Sequence, residues 1–162
     1  MKKNKKVELI APAGSWECLN AAIKAGADSV YFGIEEMNMR ARSAQNFSLG
    51  ELKKIASLCH KNNVKCYLAL NILLYDKDMG RMKKICDASK KAGIDAVIAT
   101  DITAIEYARS IGLNVHISTQ ANVSNFEAVN FYSRYSDMVV LARELGLDEI
   151  TSIIKRIEKE KV

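Results

Sequence analysis

Ala96-Val97-Ile98-Ala99-Thr100-Asp101 is a short apolar run that ends on a carboxylate, and the chain then follows a helical pattern, Ala104 to Ser110, closed by Gly112. Asn114 to Ser118 repeats the apolar run and ends in Thr119-Gln120-Ala121-Asn122. Strand, helix and strand at this spacing make one βαβ unit, with parallel strands joined by a right-handed crossover. Side chains alternate between the faces of a strand, so His116, Ser118 and Gln120 are expected on one side. A parallel strand covered on both faces normally reads as a Val/Ile/Leu run. Polar groups withdrawn from water cost free energy unless they are paired or bind something, so this polar set marks a site.

Outward from that stretch the same unit recurs, giving six strand-helix units with no linker between them. Val7 to Ala11 predicts the first strand, and Ser15 caps a helix that runs to Lys24 before Gly26. Ser29 to Phe32 is the second strand, stopped by Gly33 and followed by a longer loop, Ile34 to Phe47. Ser48-Leu49-Gly50-Glu51 is a capping box, and the helix it opens ends near Asn62-Asn63. Lys65 to Leu70 is the third strand, and the next helix occupies about Lys77 to Lys91 before Gly93. Beyond the quoted stretch, Ser124 to Glu127 reads as a second capping box, Met138 to Ala142 as the sixth strand, and Asp148 as the cap of a last helix.

Two architectures suit such alternation, a doubly wound open sheet and a (β/α)8 barrel, and the strand ends decide between them. Asn71 follows the third strand, Asp101 the fourth, Gln120 and Asn122 the fifth, and Arg143-Glu144 the sixth. A doubly wound sheet concentrates its site at one switch point, whereas a barrel gathers residues from many strand ends into a ring. The reading is therefore an α/β fold of TIM-barrel type with six of eight units present, a single partial domain over 1–162 with a basic tail at 1–6. The first and sixth strands would keep open edges, with Ile10, Leu68 and Val140 read as inward residues that lose neighbours. Such edges invite self-association.

Composition adds limits. The chain has 162 residues, 49% of them hydrophobic, one proline and a formal charge of +5, which suits one globular domain with a real core. The lysines recur on helix faces among Glu and Asp, with no Arg-rich stripe and no aromatic-basic interleaving, so charge alone does not indicate nucleic acid. Val7 to Ile10 is too short for a signal-peptide apolar region and nothing reaches the length of a membrane span, which makes a cytoplasmic location the expectation. Cys18, Cys59 and Cys86 fall in helical patterns and Cys66 in an apolar strand, without CxxC spacing. Cysteines so placed usually act as small buried hydrophobes, so no metal is assigned to them. No HExxH, EF-hand, GxGxxG or P-loop pattern occurs.

Each candidate has a structural alternative. His116 is the candidate general base because an imidazole titrates near neutrality; the alternative is a core histidine satisfied by hydrogen bonds. Asn71, Asp101, Gln120 and Asn122 are expected at the loop-bearing face, where barrels bind substrate. Arg143, with Glu144 beside it, offers a planar fork suited to a carboxylate or phosphate, or else pairs with Glu8 or Asp28. Arg40 and Arg42 could clamp an anion or stay solvated. Ser118 is flanked by Ile117 and Thr119 rather than by glycines, so it is no nucleophile elbow.

Several segments, taken together and in order, carry a family resemblance: Glu8-Leu9-Ile10-Ala11-Pro12-Ala13-Gly14, Gly26-Ala27-Asp28-Ser29-Val30-Tyr31-Phe32-Gly33, Asn71, Asp101, His116-Ile117-Ser118-Thr119-Gln120 and Leu141-Ala142-Arg143-Glu144-Leu145. In them the chain resembles the N-terminal part of the peptidase U32 family. The resemblance implies a (β/α)8 barrel with further C-terminal segments. It also implies one of two activities: collagenase-like peptidase, or support of oxygen-independent hydroxylation of tRNA, rRNA or the ubiquinone ring, with prephenate as an anionic co-substrate. The iron-sulfur cluster that the resemblance implies would belong to a longer form, since none of the four cysteines matches a cluster ligand position.

Overall fold

The computed structural model describes residues 7–35, 37 and 47–162. Arg40, Arg42 and the basic run 1–6 lie outside the described residues. Six parallel strands form one sheet in chain order: β1 (Ile10–Pro12), β2 (Ser29–Gly33), β3 (Lys65–Leu70), β4 (Ala96–Ala99), β5 (Val115–Ile117) and β6 (Met138–Val139). The helices are α1 (Trp16–Lys24), α2 (Leu52–Lys61), α3 (Met79–Ala92), α4 (Ile102–Ser110), α5 (Phe126–Ser133) and α6 (Leu147–Glu160). Each crossover advances the sheet by one strand in the same direction, so the helices fall on one face. A doubly wound sheet would reverse at a switch point. Nothing reverses here, and the sheet curls as part of a (β/α)8 barrel.

One strand face makes the core. Val30, Phe32, Leu68, Leu70, Val97 and Ile117 are buried in a single apolar cluster with Leu19, Ile55, Met82 and Ile85 of the helices. Burying each such side chain contributes about 1.5–3 kcal/mol. Tyr31, Tyr67, Ala69 and His116, at the alternate positions, stand outside that cluster on the inner face. Leu68, expected inward, belongs to the helix side, because Cys66, Leu68 and Leu70 share one face and Tyr67 takes the other. Ile10 and Val140 at the two edges are 44% and 37% exposed, as the open edges imply.

Local chemistry sets the boundaries. Ser48 and Glu51 form the expected capping box, with Ser48 N–H donating to Glu51 Oε2 at 2.8 Å, though a 3₁₀ turn, Leu49–Glu51, precedes α2. A second such turn, Asp76–Asp78, delays α3 to Met79. Ser124 is not the cap of α5. Asn125 takes that place, its Oδ1 accepting from Ala128 N at 2.9 Å, because Glu127 is drawn instead to Arg156 of α6 at 2.8 Å. Gly146, not Asp148, caps α6, and Asp148 and Glu149 occupy its first turn, where negative charge suits the helix dipole. β1 starts at Ile10 rather than Val7, since β2 offers no partner before Ser29. β6 is shorter than expected because β5, its one neighbour, ends at Ile117.

An aspartate just before a strand fastens its neighbour in three of the units. The Asp28 carboxylate accepts from Leu9 N at 2.9 Å, Asp95 from Cys66 N at 2.8 Å and Asp137 from Val115 N at 2.8 Å. Each carboxylate stands in for a missing ladder acceptor at the N-terminal end of the sheet and fixes register there. We expect Asp137→Ala to lower stability by about 1–3 kcal/mol in urea denaturation, with Asp137→Asn, which keeps an acceptor oxygen, losing less. Equal stability of Asp137→Ala and the parent chain would contradict this role.

Candidate functional site

The inner face carries a polar chain of contacts that begins at the N-terminal end of the strands. Glu8 Oε1 accepts from the Tyr67 hydroxyl at 2.6 Å, and Glu8 Oε2 accepts from Lys65 Nζ at 3.0 Å. The Tyr67 ring meets the His116 ring edge to face, with centroids 4.6 Å apart. Tyr67 pairs with Ala96 of β4, and that small side chain leaves room for the two rings to meet across the strand. The hydrogen bond from Tyr67, and then Lys65, holds the Glu8 carboxyl below its usual range against the cost of burial. Burial first, and then the Glu8 carboxylate, push the Tyr67 phenol up. His116 is lowered from 6.5 by burial, with nearby carboxylates opposing, so the imidazole is neutral at pH 7.

The C-terminal rim lies two residues beyond His116, just past the end of β5. Asn71 Nδ2 donates to Ser118 Oγ at 3.4 Å, which joins the end of β3 to the end of β5 across β4. Ser118 Oγ also accepts from Gln120 N at 3.2 Å. That bond ends the strand alternation, because residues Thr119–Ala121 turn as a 3₁₀ segment. Gln120 is therefore exposed on the turn and does not continue the line of His116 and Ser118. Asn122 closes the turn in the left-handed region, φ 51°, and is exposed. Asp101 sits at the end of β4 as expected, but its Oδ1 accepts from Thr103 N and Ala104 N at 2.8 and 3.3 Å and so caps α4. Arg143 and Glu144 are exposed in a turn after β6, while Glu8 and Asp28 take their described partners at the opposite end of the strands.

Two further residues, Tyr67 and Thr100, belong to this site. Tyr67 looks like one more apolar position in a strand, and only the register shows that it faces inward to join Glu8 to His116. Thr100 Oγ1, at the end of β4, is buried and hydrogen-bonds to none of the described residues. An unpaired buried hydroxyl at the rim, close in sequence to Asp101, is a free hydrogen-bonding group for a ligand. Its sequence signal is the hydroxyl of Thr100 directly after the apolar run Ala96 to Ala99, beside the charged Asp101.

The cysteines do not form a cluster-binding set. Cys18 is exposed on α1, and Cys86, inside α3, contacts Met82 Sδ at 3.9 Å. Only Cys59 and Cys66 meet. Four converging thiolates, as an iron-sulfur cluster needs, are not present among the described residues.

The sequence pattern of peptidase family U32 matches residues 14–161. The chain belongs to that family. A collagenase of Porphyromonas gingivalis is 54% identical over 155 residues, covering 96% of this chain and 37% of the relative. A tRNA hydroxylation protein, P1, of Bacillus subtilis is 35% identical over 159 residues, with the same 96% and 37% coverage. The chain thus spans little more than a third of the length of these U32 relatives. A solved U32 peptidase superposes with a TM-score of 0.76 at 14% identity, covering 96% of this chain and 67% of that one, which supports the barrel-type fold. No helix among the described residues is long and apolar enough to cross a membrane.

His116 gives this U32 inner face a pH signature. Its pKa in the fold lies below the 6.5 of the open chain, so below that value the unfolded state takes up a proton that the fold refuses. The contribution is fully present above pH 6.5 and is lost as pH falls through the folded value. Denaturation between about pH 7 and 5 should show stability falling with pH, and His116→Gln should flatten that slope. An NMR titration placing the His116 imidazole at or above 6.5 would contradict it.

Proposed function

We propose that this chain forms the substrate-binding half of a U32 barrel whose complete form supports oxygen-independent hydroxylation of RNA, tRNA foremost, or of a quinone ring. The observation that carries the reading is the character of the rim and of the inner face beneath it: Asn71, Ser118 and Thr100 at the rim and the neutral His116 below them are hydrogen-bonding groups without an activated nucleophile among them. Such a surface binds and orients. The relationship to a tRNA hydroxylation protein supports the substrate class. In this reading His116 positions the reacting group or exchanges a proton with it. Arg143 holds the carboxylate of an anionic co-substrate such as prephenate, and Asn71, Asp101, Gln120, Asn122 and Glu144 line the approach. The protein acts in the cytoplasm, where its RNA is found, and the 162-residue chain self-associates through β1 and β6.

A second reading, collagenase-like peptidase, draws on the 54% identity to the Porphyromonas protein. Hydrolysis needs an activated nucleophile or a metal-bound water. Ser118 Oγ is held by Asn71 and by the Gln120 amide, with no imidazole among its described partners, which weighs against this reading. A third, a binding subunit without catalysis, uses the same rim.

Mass spectrometry of tRNA nucleosides tests the first reading. Cells that lack their own tRNA hydroxylation protein should regain the hydroxylated nucleoside from a protein carrying this chain at full family length, and not from the 162 residues alone. In the longer protein, Arg143→Ala should weaken prephenate binding about tenfold, about 1.4 kcal/mol, without unfolding it. Unchanged prephenate affinity removes Arg143 from the site, and peptide cleavage without tRNA modification favours the second reading.

A further inference from the structure

At the opposite end of the half-barrel, His60 from the last turn of α2, Cys66 from the start of β3 and Asp95 from the approach to β4 bring one ligand atom each to a common point. His60 Nε2 and Asp95 Oδ2 are 3.0 Å apart, Cys66 Sγ and Asp95 Oδ2 3.4 Å, and Cys66 Sγ and His60 Nε2 4.0 Å. Two metal bonds of about 2.0–2.3 Å meeting at a tetrahedral angle set their ligand atoms about 3.3–3.7 Å apart, and the three spacings bracket that range. We propose that His60, Cys66 and Asp95 bind a divalent transition-metal ion of the zinc class, with a fourth coordination position open to solvent.

Three observations carry this beyond a chance grouping. Register needs only the aspartate: the hydrogen bond that Asp95 takes from Cys66 N recurs at Asp28 with Leu9 and at Asp137 with Val115, where the strand residue is apolar. Only in this unit is that residue a thiol with an imidazole beside it. A support is also present: the backbone N–H of Cys66 donates to Asp95 Oδ2 at 2.8 Å and orients it, as outer partners of metal ligands do. Access is open on one side, since the His60 and Asp95 side chains are 46% and 32% exposed while Cys66 is buried.

The same geometry excludes a Cys-His-Asp nucleophile. One nitrogen, Nε2, faces both the carboxylate and the thiol, whereas a triad needs Nδ1 for the one and Nε2 for the other. A soft thiolate, an imidazole and a carboxylate suit zinc over magnesium or calcium. Binding replaces the Cys66 S–H bond by a sulfur–metal bond and releases one proton to solvent. Individually the cysteines read as core residues; the site exists only because the fold gathers α2, β3 and the β4 approach.

The test uses the 162-residue chain on a Cys18→Ser background, stripped of metal and titrated with Co²⁺ and then Zn²⁺. One Co²⁺ per chain is expected, with a thiolate-to-cobalt charge-transfer band, displaced by Zn²⁺ and accompanied by proton release. Cys66→Ser should abolish the band. His60→Ala and Asp95→Asn should weaken Zn²⁺ by at least the roughly 10–100-fold that loss of an outer partner costs, and Cys86→Ser should change nothing. Circular dichroism identifies variants that fail to fold. His60 is exposed and its replacement leaves the core intact, so full Zn²⁺ affinity in His60→Ala overturns the proposal, as does Co²⁺ binding without a thiolate band or the absence of stoichiometric binding.

Discussion

Burial of one strand face against the helices is the interaction on which the rest of this structure depends. In a closed barrel the sheet is stabilised from both sides, by the helical layer outside and by side chains packed within. Among the described residues the sheet has two free edges, and the apolar cluster, which includes Phe32, Leu68, Leu70, Val97 and Ile117, lies on the helix side. Because that layer supplies the hydrophobic free energy, the inner face is released from packing and can hold Glu8, Lys65, Tyr67, His116 and Ser118. The alternation of a strand turns one constraint into two surfaces, an apolar one that folds the chain and a polar one that can bind.

The two ends of the strands then diverge in chemistry. At the N-terminal end carboxylates serve the backbone: Asp28, Asp95 and Asp137 each take an amide from the neighbouring strand. At the C-terminal end the polar side chains are joined across strands, as Asn71 is to Ser118, or cap the next helix, as Asp101 does. His116 lies between, its imidazole kept neutral by burial and packed on Tyr67. Register is fixed at one end, which leaves the loops at the other end free to vary.

Much of this was legible in the chain itself, and the failures have physical causes. The six strands and their helices follow from apolar runs punctuated by Gly26, Gly33, Gly93 and Gly112, and parallel order follows from strict alternation. Caps were harder. Ser124 and Asp148 have suitable side chains, but Glu127 is claimed by Arg156 and Gly146 already starts α6, facts set by tertiary contacts. Gln120 leaves the line of His116 and Ser118 because strand alternation stops at Ser118, whose hydroxyl bends the chain into a turn. Tyr67 and the His60, Cys66 and Asp95 group were invisible, since their meaning depends on which residues the register makes neighbours. The repeated aspartate ahead of a strand, in Ala27-Asp28-Ser29-Val30, Ile94-Asp95-Ala96-Val97 and Ser136-Asp137-Met138-Val139, could have been found as an internal repeat.

Amide hydrogen exchange followed residue by residue by NMR on the dilute monomeric chain tests most directly whether the helix-side layer alone holds the open sheet. The expected result is a gradient: the amides of Leu68, Leu70, Val97 and Ala99 exchange only through global unfolding, while those of Ala11, Met138 and Val139 at the two edges exchange orders of magnitude faster through local opening. Uniform protection from β1 to β6, or rapid exchange throughout β3 and β4, would contradict it.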